Sequence, residues 1–276
     1  MTNNKMENQL ERSAYKLEII YRHDLVIRLK NFINDILEIT GLFKFTHTLI
    51  TKLFSKREAL SKQFIKGKGI EIGALHLPLK TYNAKVTYVD RMDVKGLRKH
   101  YPELRKFSLM KVDIIDNGER LAKIKNESQD FVIANHFIEH CENPIAVLKN
   151  HLRVLKKNGI LYWAIPDKRY IFDNSRNLTT VDHIDNDFKK GGRYSRKEHY
   201  YEWVEKIMGL KNSDAVKKSK ELMNTKYSIH FHVWTLKSFL EFLLFVKKEY
   251  KFPFVILKAV GNINEFIIIL KKDSLV

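Results

Sequence analysis

The sequence predicts an α/β protein built on a doubly wound, mostly parallel sheet of seven strands, with helices on both faces. Two observations lead to this prediction. From Lys66 onward, short apolar runs rich in β-branched and aromatic residues alternate with stretches of helical periodicity. The runs are largely apolar at successive positions, as expected of strands that are buried on both faces. A chain of 276 residues with 44% hydrophobic content can bury such a core.

Seven apolar runs are the predicted strands. In chain order they are 69–74 (GIEIGA), 85–90 (KVTYVD), 107–113 (FSLMKVD), 130–136 (DFVIANH), 160–167 (ILYWAIPD), 254–261 (FVILKAVG) and 265–272 (EFIIILKK). A helix over 143–157 separates the fourth and fifth runs, and Asn158 and Gly159 are its predicted stop. A second helix, over 235–250, precedes the sixth run.

Two helical segments are predicted outside this alternation. Residues 1–65 form an N-terminal helical extension to a main domain of residues 66–276, because helical periodicity runs through them with a break at Gly41. The helices of the extension are amphipathic and basic, so they either pack on the main domain or dock to an anionic membrane or a partner. The polar stretch 173–232, after the fifth strand, is the predicted helical lid.

The composition indicates the partners, the cysteine chemistry and the compartment that we expect of this protein. Lysine and arginine outnumber the acids 50 to 32, a net charge of +18, which favours anionic partners, although scattered lysines also fit a solvated surface. Cys141 is the single cysteine, so a disulfide within the chain and a cysteine zinc site are excluded. No stretch has the apolar length of a signal peptide or a membrane span. We therefore expect a cytoplasmic protein, peripheral to the inner face of the membrane if the extension docks there.

Three acids fall at the predicted strand ends where an open α/β sheet binds its ligand. Glu71 precedes Gly73 at the end of the first strand, and Asp90 and Asp113 end the second and third. An acid beside the glycine turn would repel the pyrophosphate of a dinucleotide, but it suits a ligand with a cationic end, such as S-adenosylmethionine. The Asp90 carboxylate can accept hydrogen bonds from both ribose hydroxyls. The Asp113 carboxylate can accept a hydrogen bond from the exocyclic amine of adenine. The alternative to ligand binding is a structural role, in which each acid caps the end of its strand.

The sequence resembles the class I S-adenosylmethionine-dependent methyltransferases from about residue 67 to residue 272. The resemblance rests on GIEIGA, YVDRMDV, DFVIANHFIEHCENPIAVLKNHLRVLKKNGILYWAIPDKRYIFD and HFHVWTLKSF. The long block looks like a bacterial subgroup associated with surface-polysaccharide (capsule and glycan) biosynthesis. The resemblance implies a Rossmann-like fold, methyltransferase activity and S-adenosyl-L-methionine as cofactor. Many members have a second glycine where this chain has Leu75, so we expect a different loop path there.

The resemblance also implies a set of cofactor-binding residues. In that family the motif acids hold the ribose and adenine, and the residues after the fourth strand lie beside the methionine portion. The residues at matching positions here are Glu71, Gly73, Ala74, Asp90, Arg91, Asp113, Ile114, Asn135 and His136.

Candidate catalytic residues follow from the chemistry of methyl transfer. The displacement at a sulfonium mainly requires positioning and exclusion of water. A sugar hydroxyl acceptor also needs a base to take its proton. His136 and His140 lie just after the fourth strand, where the fold opens toward the acceptor, and His136 is the favoured base. Asp167, after the fifth strand, completes the candidate set; a structural hydrogen-bonding role is the alternative for the histidines.

Candidate acceptor-binding residues lie in and beside the lid. They are Lys168, Arg169, Arg176, His183, Tyr194, His230 and His232. Arginine and lysine side chains can bind a phosphate, and aromatic rings can bind a sugar or a base. The His-x-His pair at 230 and 232 is also compatible with a metal ion, with His183 and Asp182 as further ligands. Because no ligand pair was found at helical i, i+4 spacing, we predict no metal.

The predicted function is O-methylation of a phosphate-bearing small molecule or sugar, with a phosphoramidate among the candidates, in capsule or surface-glycan biosynthesis. A nucleic-acid methyltransferase is an alternative that the charge favours. Against it, the chain has no Asn-Pro-Pro-aromatic motif, no RNA-binding module and no compact basic stripe, so nucleic acid is not the expected partner. A third hypothesis is a non-catalytic S-adenosylmethionine-binding scaffold that docks to a membrane-bound glycosyltransferase through the N-terminal helices.

Overall fold

A computed structural model of the chain describes residues 55–273. Within this range there are seven strands: β1 (Lys66–Ile72), β2 (Asn83–Asp90), β3 (Ile114–Ile115), β4 (Gln129–Asn135), β5 (Leu155–Pro166), β6 (Phe254–Asn262) and β7 (Glu265–Lys272). They form one sheet in the order β3-β2-β1-β4-β5-β7-β6. Strands β1 to β5 run parallel, and β7 is antiparallel to β5. The chain changes winding direction between β1 and β4, which is where such a sheet binds its ligand.

Seven α-helices lie in the same described range. They are α1 (Arg57–Phe64), α2 (Val94–His100), α3 (Pro144–Val154), α4 (Val181–Lys190), α5 (Arg196–Ile207), α6 (Asn212–Asn224) and α7 (Leu236–Glu249). Helices α4, α5 and α6 all fall inside the predicted lid, residues 173–232, which we call the helical insertion. The predicted fold class, a Rossmann-like sheet with a helical insertion after the fifth strand, is confirmed.

The sheet separates two apolar cores. Successive side chains of a strand point to opposite faces, so neighbours along β5 belong to different cores. Trp163 packs on one face with buried residues of α3 and α7, and Tyr162 packs on the other face with Leu60 of α1. Because both faces are covered, the central strands are apolar at almost every position, and this is why they read as continuous apolar runs.

Helix α3 ends earlier than the stop predicted at 158–159. Its last residue is Val154, and Leu155 already pairs with Gln129 as the first residue of β5. The backbone oxygens of Arg153 and Val154 accept hydrogen bonds from the loop that precedes β4. These bonds satisfy carbonyl groups at the helix end, so the helix needs no glycine cap.

The third predicted strand is wrong. Residues 107–113 are not a strand, and β3 is the two-residue strand that follows them. The apolar residues of this run pack on a neighbouring loop: the ring of Phe107 stacks on that of His76 at a centroid distance of 4.4 Å. Asp113 therefore precedes β3, and Asp116 is the acid at its carboxyl end.

The predicted N-terminal extension lies mostly outside the described residues. Residues 1–54 are not described, so its docking role and the boundary at residue 65 stay predictions. Residues Arg57–Val260, and the chain from Asn264 onward, belong to one compact unit. No helix in the described range is both long enough and apolar enough to span a bilayer.

Candidate functional site

Glu71 supports the loop that follows β1. It is buried in the strand, and its Oε1 accepts a hydrogen bond from the Leu79 amide at 2.8 Å. Its Oε2 has no hydrogen-bond partner among the described residues. Burial raises the pKa of this carboxyl to about 7, although the Leu79 amide and Arg57 favour its charged form. Glu71 thus fixes the far end of the loop that Gly73 begins.

The turn at the start of this loop uses left-handed backbone. Gly73 has φ 65°, and its amide donates to the Val89 carbonyl at 3.0 Å. The Ala74 carbonyl accepts from the Leu77 amide at 2.9 Å, which closes the turn. Leu75 has φ 48°, a conformation that costs a non-glycine residue about 1 kcal/mol or more. The loop therefore adopts at Leu75 the backbone region that the glycine of related sequences would favour.

Asp90 ends β2, at the sheet edge where the ribose was predicted to bind. Its Oδ1 accepts from the Arg91 amide at 2.7 Å, and burial raises the pKa of the carboxyl. The Arg91 guanidinium contacts the His100 ring nitrogen at 2.6 Å and the Tyr101 hydroxyl at 3.0 Å. The structure thus leaves Asp90 at the ligand-binding edge, while the Arg91 side chain packs along α2.

Asp113 does not lie at a strand tip, contrary to the prediction that it contacts adenine. Its Oδ2 accepts from the Tyr88 amide at 3.1 Å, so it binds the side of β2. Ile114 is the first residue of β3 rather than a residue beyond it. Asp116 occupies the tip, but both of its carboxylate oxygens accept from amides of the turn that follows.

Asn135 ends β4, next to β1 in the sheet. Both polar atoms of its side-chain amide are buried and make no hydrogen bond to any described residue. Leaving a buried polar group unpaired costs about 1 to 3 kcal/mol, so this amide is suited to bind a ligand. Asn135 and Asp90 lie at the carboxyl ends of the two strands that flank β1. Their chemistry and position fit the methionine and ribose portions of S-adenosylmethionine.

His136, the favoured base, is engaged with a carboxylate. Its backbone has φ 50°, and its Nε2 lies 2.7 Å from Oε2 of Glu265. Arg57 pairs with the same carboxylate. Burial alone would raise the pKa of Glu265, but the hydrogen bonds from Arg57 and His136 lower it to about 2. This pair links the loop after β4 to the start of β7.

His140 instead lines a pocket of about 340 Å³. The other lining residues are Phe172, Trp203, Ile207, Tyr227, Ser228, Ile229 and His230. The His140 Nδ1 lies 2.9 Å from the Ile229 carbonyl oxygen and 3.1 Å from the Ser228 hydroxyl. Because a carbonyl can only accept, Nδ1 carries the proton and Nε2 is left as an acceptor. Partial burial lowers the pKa of His140, whose side chain is 32% exposed, so the ring is neutral at pH 7.

Glu139 is a functional candidate that the sequence analysis missed. It is fully buried, and neither carboxylate oxygen has a hydrogen-bond partner in the described part of the chain. Its Oε1 lies 4.0 Å from the His140 Nε2, and burial raises the pKa of the carboxyl. The sequence feature that could have identified Glu139 is its position directly before His140, in the turn after a strand.

The charged run after β5 folds back on itself. Asp167, a candidate catalytic residue, is buried, and its two carboxylate oxygens accept from the Arg169 guanidinium at 3.0 and 2.8 Å. The Lys168 ammonium donates to the Asn174 carbonyl at 2.8 Å. Asp167, Lys168 and Arg169 thus make contacts within the protein, and their predicted roles in catalysis and phosphate binding stay predictions.

Arg176, which the sequence predicted to bind the acceptor, is the hub of a buried network. Its side chain is only 1% exposed. It donates to the Asp173 carboxylate at 2.9 Å, to the His230 carbonyl at 2.8 Å and to the Glu202 carboxylate at 2.8 Å. Burial acts to raise the pKa of Asp173, but hydrogen bonds from His230 and Arg176 lower it overall.

The remaining acceptor candidates are Tyr194, His183 and His232, and none of them lines the pocket beside His140. Tyr194 is 60% exposed, and the Lys190 ammonium lies 4.3 Å from its ring centroid, so it is a surface residue rather than part of an aromatic floor. His183 and His232 do not line the pocket beside His140. They lie together in a second cluster within the helical insertion.

We expect Glu71→Gln to stabilise the protein above pH 7. The folded-state pKa of about 7 exceeds the ordinary value of 4.5, so between these values the folded state binds a proton that the unfolded chain has lost. Stability conferred by that proton falls as the pH rises through this window. Glutamine keeps an acceptor for the Leu79 amide without the charge, and urea unfolding near pH 8 should show a gain of about 1 to 3 kcal/mol.

The matched measurement for this variant is unfolding near pH 5, where Glu71 of the folded protein is protonated. There the variant and the original chain should have nearly the same free energy of unfolding. Equal stability near pH 8 as well would contradict the raised pKa.

Part of the chain is similar to known proteins. Residues 67–163 match the family model described as "Methyltransferase domain". An uncharacterized protein from Methanocaldococcus jannaschii is 32% identical over 115 residues, which are 41% of this chain and 52% of that protein. The chain thus spans about half the length of this curated relative.

Solved structures of similar shape include two S-adenosylmethionine-dependent methyltransferases. One, from Thermotoga maritima, is 16% identical with a TM-score of 0.40, over 87% of this chain and 100% of that chain. The other, from Aquifex aeolicus, is 11% identical with a TM-score of 0.41, over 79% of this chain and 90% of that chain. Neither likeness is close enough to bear on the substrate. Over residues 67–163 the chain is thus similar to a methyltransferase domain.

Proposed function

We propose that this chain transfers the methyl group of S-adenosylmethionine to a hydroxyl group of an acceptor bound in the pocket beside His140. The observation that carries the proposal is the position of His140. It follows β4 at the carboxyl edge of the sheet, near Asn135, and it lines a pocket with aromatic walls. A neutral imidazole at that place can take the proton of a hydroxyl as the new bond forms.

The roles of the other residues follow from their contacts. When bound, S-adenosylmethionine supplies an electrophilic methyl group. Asp90 would hold its ribose hydroxyls, and the Asn135 amide would bind its methionine portion. The Ile229 carbonyl holds the proton on Nδ1 of His140, so that Nε2 receives the proton of the acceptor. The Glu139 carboxylate, 4.0 Å from that nitrogen, would stabilise the imidazolium that results.

The acceptor class we propose is a sugar hydroxyl, free or in a phosphate-bearing molecule, used in capsule or surface-glycan assembly. The rings of Phe172, Trp203 and Tyr227 support a sugar, because aromatic faces pack well against the apolar face of a sugar ring. The support for an anionic group, including a phosphoramidate, is the net charge of +18. Docking of residues 1–65 to a membrane or a glycosyltransferase belongs to the same proposal and rests on their basic, amphipathic pattern.

The first test is cofactor binding by the Asp90→Ala variant. Losing a ribose acceptor should weaken S-adenosylhomocysteine binding about 10- to 100-fold, which corresponds to about 1 to 3 kcal/mol. Isothermal calorimetry on the purified chain measures this directly. The matched control is Asp113→Ala, which removes an acid that contacts the side of β2 and should leave affinity unchanged. Equal losses in the two variants would contradict the assignment of the ribose site.

The second test identifies the acceptor. The chain is incubated with S-adenosylmethionine and a panel of free sugars, nucleotide-linked sugars and glycan fragments, and each product is examined by mass spectrometry for one added methyl group. We expect methylation of at least one sugar, with release of S-adenosylhomocysteine. Methylation of nucleic acid instead, with a steep loss at higher salt, would favour the alternative reading.

A further inference from the structure

We propose that a cluster of three histidines and one aspartate in the helical insertion binds a zinc ion. The cluster consists of His183, Asp187, His199 and His232. His183 and Asp187 lie four residues apart on α4, His199 lies on α5, and His232 lies in the segment before α7. The sequence prediction of no metal is at odds with this cluster, in which His183 and Asp187 have the i, i+4 spacing of a helical ligand pair.

The donor atoms of the four side chains converge on one point. The Nε2 atoms of His183 and His199 are 3.0 Å apart, and Oδ2 of Asp187 lies 3.2 Å from the first of them. The same oxygen is 3.9 Å from Nε2 of His199 and 3.9 Å from Nε2 of His232. Four ligands at about 2.0 to 2.2 Å from a tetrahedral zinc ion are about 3.3 Å from each other. The observed distances lie on both sides of that value.

Two of these donor atoms have no other partner. The Nε2 of His232 is buried and makes no hydrogen bond to a residue in the described range, and the contacts of the buried Oδ2 of Asp187 are with the histidine nitrogens of the cluster itself. His232 is 0% exposed, so the surface offers it no alternative. Buried polar atoms without partners are rare and costly. A cation between them would be bound by both atoms. The nitrogens of His183 and His199 that face each other would also bind the cation, so no hydrogen bond between them would be required.

A supporting contact orients the carboxylate. Oδ1 of Asp187 accepts a hydrogen bond from the Ser195 hydroxyl at 2.5 Å, which leaves Oδ2 directed at the three rings. Zinc ligands are commonly held by a second hydrogen bond of this kind. Three imidazoles and one carboxylate suit zinc better than calcium or magnesium, which prefer oxygen ligands.

The ion would have a structural role. Four protein ligands fill a tetrahedral sphere, whereas catalytic zinc sites keep one position open. The site would join α4 and α5 to the segment that contains His230, and His230 lines the pocket beside His140. It would also anchor the insertion on the sheet, because Trp234 of the same segment packs in the core and its carbonyl accepts from the Lys168 amide at 2.9 Å.

The test measures zinc bound to the full chain, freed of any purification tag. The protein is dialysed to equilibrium against a zinc chloride buffer and then against a weak chelator, and bound metal is counted by plasma mass spectrometry. We expect about one zinc ion per chain. Asp187→Asn should lower zinc affinity by more than about 100-fold, and Ser195→Ala should lower it about 10- to 100-fold. The control His100→Gln, on α2, should bind zinc as the original chain does.

Two outcomes would overturn the site. One is an original chain that keeps no zinc after dialysis, and the other is an Asp187→Asn variant that binds zinc as tightly as the original chain. Should Asp187→Asn fail to fold, cobalt substitution of the original chain still decides, because four-coordinate Co²⁺ absorbs visible light far more strongly than six-coordinate Co²⁺. Weak absorption would contradict the four-ligand site. None of these measurements depends on methyltransferase activity.

Discussion

Replacing His140 with asparagine is expected to lower kcat by about 100- to 10,000-fold, the range attributed to a general base. Asparagine can still donate to the Ile229 carbonyl, as the Nδ1 of His140 does, but it lacks the acceptor nitrogen that faces Glu139. The affinity for S-adenosylhomocysteine should stay unchanged, because His140 lines the acceptor pocket. Both quantities can be measured on one preparation, by product formation at saturating substrate and by calorimetry.

His136→Ala is the informative control, because His136 was the base that the sequence favoured. Its ring is 41% exposed and pairs with Glu265. The control should lose stability, since Glu265 loses one of its partners, while kcat at saturating substrate changes only a few-fold. A large loss of kcat in His136→Ala with little loss in His140→Asn would reverse the assignment.

Arg176→Met is expected to destabilise the protein by about 3 to 5 kcal/mol, the cost of removing one partner from a buried ion pair. The variant leaves the buried Asp173 carboxylate with His230 alone, and it leaves the His230 carbonyl without its donor. Urea denaturation, followed by tryptophan fluorescence, measures the loss, because Trp203 lies in the same insertion.

Lys189→Met is the matched control within the insertion. Lys189 pairs with Asp185 on the surface of α4, with its own side chain 59% exposed. Exposed pairs of this kind contribute little to stability, so the control should unfold almost as the original chain does. If Arg176→Met cost no more than Lys189→Met, the buried network would not be holding the insertion together.

The sequence predicted the sheet and part of the cofactor edge because local patterns determine both. Asp90 and Asn135 follow long apolar runs, so their positions at strand ends could be predicted from the runs alone. Asp113 was misplaced because a two-residue strand carries no periodic signal, whereas the apolar run at 107–113 resembles a strand and instead packs on a loop.

The contacts of the insertion could not be predicted in the same way. Asp187, His199 and His232 are far apart in the chain, and their convergence depends on how the helices pack. The sequence predicts that Arg176 binds the acceptor, because nothing local to it shows that it is buried. The burial of Glu139 is likewise a tertiary property, which the short turn around it does not reveal.

The position of Asp113 affects how the sheet meets solvent. Among the described residues, β3 pairs with only two residues of β2, so part of the outer side of β2 has no neighbouring strand there. At Tyr88, beside β3, the Asp113 carboxylate accepts from the backbone amide, and the Asp113 amide donates to the carbonyl at 2.9 Å. Open strand edges recruit strands from other chains, and a carboxylate on the edge discourages such recruitment. We therefore expect the Asp113 carboxylate to disfavour pairing of this edge with a strand of a second copy.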